Sequence, residues 1–308
     1  MALANTILMI RPAAFAPNPE TAVNNSFQHS GKLKKLNTFQ PDALREFDQM
    51  IRLLQKHDID VLVIEDTPEP VKPSAIFPNN WISTSAEGII SIFPIFAPNR
   101  RPEKREDILK LLAQQFVVRG VKDWSEFEVE GKFLEGTGSM VIDHDHKVIY
   151  ACYSPRTDIS VLEKFANKNN FRAIIFLATD KNGNPVYHTN VMMTLGEGFA
   201  IICEEAIEEE WELIAVRQLL ESTDHEIISI NKDQMHAFAG NMLMIANKKN
   251  QKFLLLSDTA FNSLDQQQKD KLSSYAQLLP ASIPVIEKAE GGSVRCMIAE
   301  IFLQRKKN

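Results

Sequence analysis

Three residues able to do covalent chemistry stand in unusual local settings. Cys296 ends the stretch Gly291-Gly-Ser-Val-Arg-Cys, where two glycines let backbone approach a ligand closely and the adjacent Arg295 favours a thiolate. His188 follows Asn-Pro-Val-Tyr and precedes Thr-Asn190. Glu135 precedes Gly-Thr-Gly-Ser, a carboxylate pinned in a Gly-rich turn with no helix to cap. A cysteine nucleophile needs a thiolate or a neighbouring base, an acid for the leaving group, and a carboxylate to steer its partners. These three residue types supply that set. Cys152 and Cys203 end apolar runs (Val-Ile-Tyr-Ala-Cys and Phe-Ala-Ile-Ile-Cys) and read as small core side chains. His144 and His146, in Asp-His-Asp-His, suggest a metal site at first sight. No third ligand stands at metal spacing, so they read as a solvated hairpin turn.

Residues so far apart in sequence must be brought together by the fold, and internal repetition shows how. Phe77-Pro-Asn-Asn-Trp-Ile-Ser, Leu134-Glu-Gly-Thr-Gly-Ser-Met-Val, His188-Thr-Asn-Val-Met-Met, Phe238-Ala-Gly-Asn-Met-Leu-Met and Gly291-Gly-Ser-Val-Arg-Cys-Met are each a polar lead-in to a short apolar strand. Anchored on Asn80, Gly138, Asn190, Asn241 and Ser293, the steps are 58, 52, 51 and 52 residues. Four units continue into a second strand: Ile89–Phe93, Val148–Cys152, Phe199–Cys203 and Phe253–Leu256. The N-terminal strand Ile7–Ile10 completes the fifth unit and closes the ring. Five hairpin–helix–strand units of this size predict an α/β propeller with pseudo-fivefold symmetry. Its lead-ins point at the central axis, so Glu135, His188 and Cys296 converge.

The connecting elements follow from periodicity. A helix opens at Pro41 with the stripe Leu44, Phe47, Ile51, Leu54, and further helices are predicted at Lys104–Phe116, Ile159–Asn167, Ile207–Leu220 and Leu264–Leu278. Strands are predicted at Ile59–Ile64, Ala173–Leu177, Glu226–Ile230 and Ile283–Ile286. The stretch Phe15–Lys34 lacks either pattern and is a candidate lid. No Gly/Ser linker divides the chain, so residues 1–308 read as one domain.

Composition narrows the function classes. With 34 Lys and Arg against 40 Asp and Glu, the net charge is -6, which argues against phosphate-backbone binding and hence a nucleic-acid partner. No apolar run approaches the roughly 18 residues of a membrane span, and the first ten residues lack the basic flank of a secretory signal. Three scattered cysteines make neither a disulfide framework nor a metal knuckle. A cytoplasmic protein is expected.

Leu-Glu-Gly-Thr-Gly-Ser, the later His-Thr-Asn, and the C-terminal Gly-Gly-Ser-Val-Arg-Cys-Met resemble, in order, the Glu, His and Cys motifs of the amidinotransferase/arginine deiminase (pentein) superfamily. The resemblance covers nearly the whole chain and implies the five-bladed α/β propeller. It implies Cys296 as nucleophile, His188 as general acid and base, and Glu135 as its partner or a substrate ligand. Pro98-Asn-Arg-Arg and Ser154-Pro-Arg-Thr-Asp are similar to motifs of the dimethylarginine dimethylaminohydrolase branch. That likeness implies Arg100 and Arg156 as the holders of a substrate α-carboxylate, a role suited to the arginine fork.

The departures concern the other end of the substrate. Where that branch carries Pro-Asp-x-x-Phe-x-Glu-Asp, this chain has Pro73-Ser-Ala-Ile-Phe-Pro-Asn-Asn80, and where arginine deiminases carry His-x-Asp it has His188-Thr-Asn190. A guanidinium offers only donors and suits carboxylates; a ureido group is neutral, with an acceptor oxygen and donor nitrogens, and suits the mixed polarity of Asn. Asn80 and Asn190 therefore favour a ureido substrate, with citrulline the first candidate. Hydrolysis would yield ornithine, carbon dioxide and ammonia without metal or organic cofactor. The alternatives are a guanidine hydrolase of the same superfamily and a non-catalytic propeller serving as a binding module. The intact Glu, His and Cys set argues against the last. A homodimer stays open.

Overall fold

The computed structural model describes residues 3–28 and 39–307. The chain starts with β1 (Thr6–Arg11), the helix Phe39–Lys56 and β2 (Asp60–Glu65). Then come β3 (Ile82–Thr84), β4 (Ile89–Ile92), the helix Glu106–Gln115 and β5 (Gly120–Asp123). The same order repeats as β6 (Val141–Asp143), β7 (Val148–Cys152), the helix Ile159–Lys168 and β8 (Arg172–Phe176). It repeats again as β9 (Met193–Gly196), β10 (Phe199–Ile202), the helix Glu210–Ser222 and β11 (Glu226–Ser229). The last full repeat is β12 (Leu243–Ala246), β13 (Lys252–Ser257), the helices Asp258–Ser263 and Gln266–Tyr275, and β14 (Gln277–Ala281). β15 (Ala299–Ile301) follows.

In each unit the first two strands form an antiparallel hairpin and the third runs parallel to the second. The fifth sheet has the same pattern in the order β15-β1-β2, with Thr6 opposite Ile301 on one side and Asp60 on the other. The two ends of the chain thus share one sheet. This is the expected pseudo-fivefold arrangement, built as five separate three-stranded sheets with open edges. The first strands of neighbouring units lie beside each other around the axis, β15 by β3 and β9 between β6 and β12.

Burial explains the strand types. The middle strands carry the continuous apolar runs: β7 and β10 are buried along their whole length, as strands covered on both faces must be. The third strands are more open, with β2 and β8 mostly half-buried. Cys152 ends β7 and Cys203 directly follows β10, both buried in apolar surroundings. His144 and His146 occupy the turn between β6 and β7, where His146 pairs with Asp143 at 2.8 Å and His144 packs on the Phe302 ring.

Two expectations change. Residues Ile283–Ile286 are not a strand; the strand is β14, and Ile283 caps the helix Pro284–Glu290, whose first residue Pro284 has the fixed φ of an N1 position. The helix predicted to reach Leu278 stops at Tyr275, because Ala-Gln-Leu-Leu satisfies either period and pairing with β13 decides it. The helix Phe39–Lys56 buries Ala43, Phe47, Met50, Ile51 and Leu54, leaving the expected Leu44 half-buried. Its buried Glu46 accepts from the amides of Val285 and Ile286, holding the first turn of the helix that leads to the cysteine segment. Among the described residues no helix is long and apolar enough to cross a membrane.

The central position of β1 gives a stability test. Ile7 is fully buried, so Ile7→Ala is expected to cost about 2–5 kcal/mol in urea unfolding. Val129→Ala, at a side chain 93% exposed, should change it by less than about 0.5 kcal/mol.

Candidate active site

The five lead-ins meet at one end of the inner strands. Short helical turns at Pro78–Asn80, Gly136–Ser139, Thr189–Val191 and Val294–Met297 present their side chains there, and Asn241 occupies the matching position before β12. Crowding is severe: a Cβ on Gly138 would lie 2.6 Å from Asn80 Nδ2 and 2.7 Å from His188 Cε1. A narrow cleft opens here, and its wall includes Cys296, His188, Asn80, Arg100, Arg156 and Glu290. Glu135 and Asn190 stand one hydrogen bond behind that wall. The structure thus gathers all seven residues singled out in the sequence.

Gly291 ends the helix Pro284–Glu290 in the left-handed region (φ 65°), and a Cβ there would meet Gln28 N at 2.6 Å. This turn aims Cys296 inward, where its Sγ receives Asn241 Nδ2 at 3.3 Å and Asn190 Nδ2 at 3.6 Å. Burial pushes the thiol up from its ordinary value; a backbone hydrogen bond at Ser293, the two amides, and more weakly the charge of Arg295 oppose that without cancelling it. The Arg295 side chain turns aside to Ile298 O and Glu300.

His188 Nε2 lies 2.8 Å from Glu135 Oε2. Burial alone would raise the Glu135 carboxyl, but the Arg156 charge and the His188 hydrogen bond outweigh it and hold the group at about 2. Phe96 N donates to the other oxygen at 3.0 Å. Burial pulls His188 down to about 4, and the carboxylate beside it restores only part of the loss. The pair therefore carries its charge on Glu135. His188 donates through Nε2–H and keeps the Nδ1 lone pair as a base. Burial thus favours a thiol and a neutral imidazole over the charged pair, while the Arg295 charge acts in the direction the sequence suggested.

The arginines are also more engaged than a carboxylate-binding role requires. Arg100 sends Nε and Nη2 to Glu103, both at 2.9 Å, and Nη1 to Asn80 Oδ1 at 2.8 Å. Arg156 sends Nε and Nη2 to Asn24 Oδ1 and Nη2 to Thr21 O, while Nη1 lies 3.5 Å from Glu135. In both, the fork edge expected to take a substrate carboxylate is occupied, leaving only the Nη1 side. The candidate lid explains half of this. Its described part, to Gln28, is a strap over the cavity, pinned by Arg156 and by Asn18 N and Asn25 Nδ2 on Glu290; residues 29–34 lie outside the described residues.

Sequence reasoning missed two participants. Asn241 served only as a repeat marker, although its register with Asn80 and Asn190 already put it at the axis. Glu290 precedes the Gly-Gly pair as Glu135 precedes its own glycine, and that parallel was the available signal.

The sequence matches the family described as N,N-dimethylarginine dimethylhydrolase, eukaryotic, over residues 11–303. The chain belongs to this family. Membership makes it a hydrolase of C–N bonds within the amidinotransferase superfamily. Among solved structures it is similar to the N-terminal domain of ArgZ, an arginine dihydrolase from the ornithine-ammonia cycle in cyanobacteria, in a cysteine-to-serine variant bound to substrate. The TM-score is 0.73 at 14% identity, covering 96% of this chain and 97% of that one. Unliganded AgrE matches with a TM-score of 0.73 at 15% identity over 96% of this chain and 39% of that longer chain. A dimethylarginine dimethylaminohydrolase adduct with S-methyl-L-thiocitrulline matches at 0.66 and 16%, over 97% of this chain and 100% of that one. These likenesses carry the fold. No curated protein matches at the level of sequence.

Two tests follow from the geometry. The kcat/KM profile should form a broad plateau: activity falls on the acid side as His188 takes a proton near pH 4, and on the alkaline side only above the ordinary thiol value of about 8.5. Steady-state rates from pH 3.5 to 10.5 (about the range needed to see both limbs) check it; a mid-range limb near 6.5, the unperturbed histidine value of about that size, contradicts it. Gly138→Ala should displace the imidazole and lower kcat by about 100-fold, while thermal melting shows a cost of only about 1–3 kcal/mol.

Proposed function

We propose that this hydrolase acts on the ureido group of citrulline or a close relative, with Cys296 as nucleophile, His188 as acid and base, and Glu135 holding the imidazole. One observation carries the substrate reading: the side chains on Cys296 Sγ are the neutral amides of Asn190 and Asn241. Glu135 is already committed to His188 and Arg156. A guanidinium placed at the nucleophile would find only neutral amides beside Sγ, whereas a ureido group finds donors and acceptors of matching polarity.

The chemistry balances without a further reactant than water. The Cys296 thiol passes its proton to His188 Nδ1 as Sγ attacks the ureido carbon. The bond from that carbon to the chain nitrogen breaks, and His188 returns the proton to the departing amine, releasing ornithine. A water deprotonated by His188 then attacks the S-carbamoyl group, restoring the thiol and freeing carbamate, which decomposes to carbon dioxide and ammonia. Asn241 and Asn190 stabilise the sulfur as charge develops on it. Residues 1–308 act in this reading as one catalytic domain.

The rival reading, hydrolysis of a guanidino acid, draws on the family description and on the arginine named for the ArgZ structures. Ammonia release from citrulline, arginine and agmatine separates the two, and Cys296→Ala should abolish it. A further test reads the ratio. In Asn80→Asp with Asn190→Asp, preference should move from citrulline toward arginine by about 30- to 1000-fold, from two contacts worth roughly 2–4 kcal/mol together. A wild-type enzyme that already prefers arginine overturns the ureido reading.

A further inference from the structure

One buried carboxylate of the cavity has no part in the chemistry above. Glu290, 4% exposed, ends the helix Pro284–Glu290 and forms part of the cavity wall. Its hydrogen-bond donors are neutral: Asn18 N at 2.6 Å on one oxygen and Ser74 Oγ at 2.7 Å on the other. The contrast with its neighbours is clear. Glu103 receives both edges of Arg100, and Glu135 receives His188 with Arg156 beside it. Each arginine of the cavity thus has its own acid, and Glu290 is the acid left over.

We infer that Glu290 is the receptor for the α-ammonium of the substrate, and so restricts this enzyme to α-amino acids. A carboxylate has roughly four lone-pair sites, and two neutral donors leave room for a charged one. The ligand's own carboxylate would turn to the Nη1 side of Arg156 or Arg100, completing the pairing of a zwitterion. Burial raises the empty group to about 7, as befits a carboxylate still waiting for a cation. The strap is part of the receptor, since Asn18 and Asn25 fix Glu290 through its side chain and its carbonyl. Glu290 touches the far end of the ligand, not the reacting carbon, so it sets specificity without entering the chemistry.

The inference rests on the proposed site but not on the nature of the head group, and binding can test it apart from turnover. Cys296→Ala is titrated calorimetrically with citrulline, arginine, δ-ureidovalerate and δ-guanidinovalerate, the last two lacking only the α-amino group. The amino acids should bind about 10- to 100-fold more tightly than their des-amino partners. In Cys296→Ala with Glu290→Gln that preference should collapse to within about threefold, whichever head group binds better. A preference that survives Glu290→Gln overturns the inference. So does an equal weakening of each amino acid and its partner, which marks a structural role, or a loss confined to the guanidino pair, which marks a head-group role. Absence of binding by all four ligands overturns it as well. Citrulline bound with this preference yet not hydrolysed by the intact enzyme refutes the proposed reaction alone.

Discussion

A single ionised carboxylate, buried beside a histidine, sets the terms for everything around it. Glu135 is 1% exposed, and a charge so placed persists only if fixed donors replace its lost water. Those donors come from distant parts of the chain: the His188 imidazole, the Phe96 amide and, slightly farther, the Arg156 guanidinium. Arg156 in turn needs acceptors, and takes them from the strap at Thr21 and Asn24. Keeping one charge in place therefore ties three repeats and the N-terminal strap together. The same desolvation favours the neutral forms of Cys296 and His188, so one proton is shared out between two uncharged partners.

Pseudo-symmetry supplies the location and its violation supplies the chemistry. All five units deliver a polar lead-in to the axis, but the occupants are not equivalent: Asn80, Asn190 and Asn241 stand beside Gly138 and Ser293 with its neighbour Cys296. The glycine makes room for the others, since any side chain at 138 would strike both Asn80 and His188. Asn241 then does for sulfur what a backbone amide does for an oxyanion elsewhere, holding Sγ with one hydrogen and the Asn190 carbonyl as a second partner.

How far the sequence revealed this depends on the range of the interaction involved. The convergence of Cys296, His188 and Glu135 was legible because each lies in a polar lead-in before a strong apolar strand, and the spacing of those strands carries the architecture. The β14 segment was not, because Ala-Gln-Leu-Leu fits helix and strand alike and only its pairing with β13 decides. Occupied arginine forks were illegible for another reason. Glu103 lies three residues from Arg100 and could have been suspected, but Asn24 and Thr21 reach Arg156 across more than 130 positions. Protonation states were least accessible of all, since they follow from burial summed over the whole assembly.

The shared sheet β15-β1-β2 has a consequence for the chain as it is made. During synthesis β1 and β2 can pair early, yet the other edge of β1 must wait for Ile301, nearly the whole chain later. Cys296 is made only just before that last strand. The four complete hairpin repeats can thus gather on the ribosome around an axis that still lacks Cys296. A chain interrupted before this point is a scaffold without Cys296, with one sheet edge exposed and open to foreign strands. Cys296 reaches the axis with the pairing of β15, the same event that covers that edge.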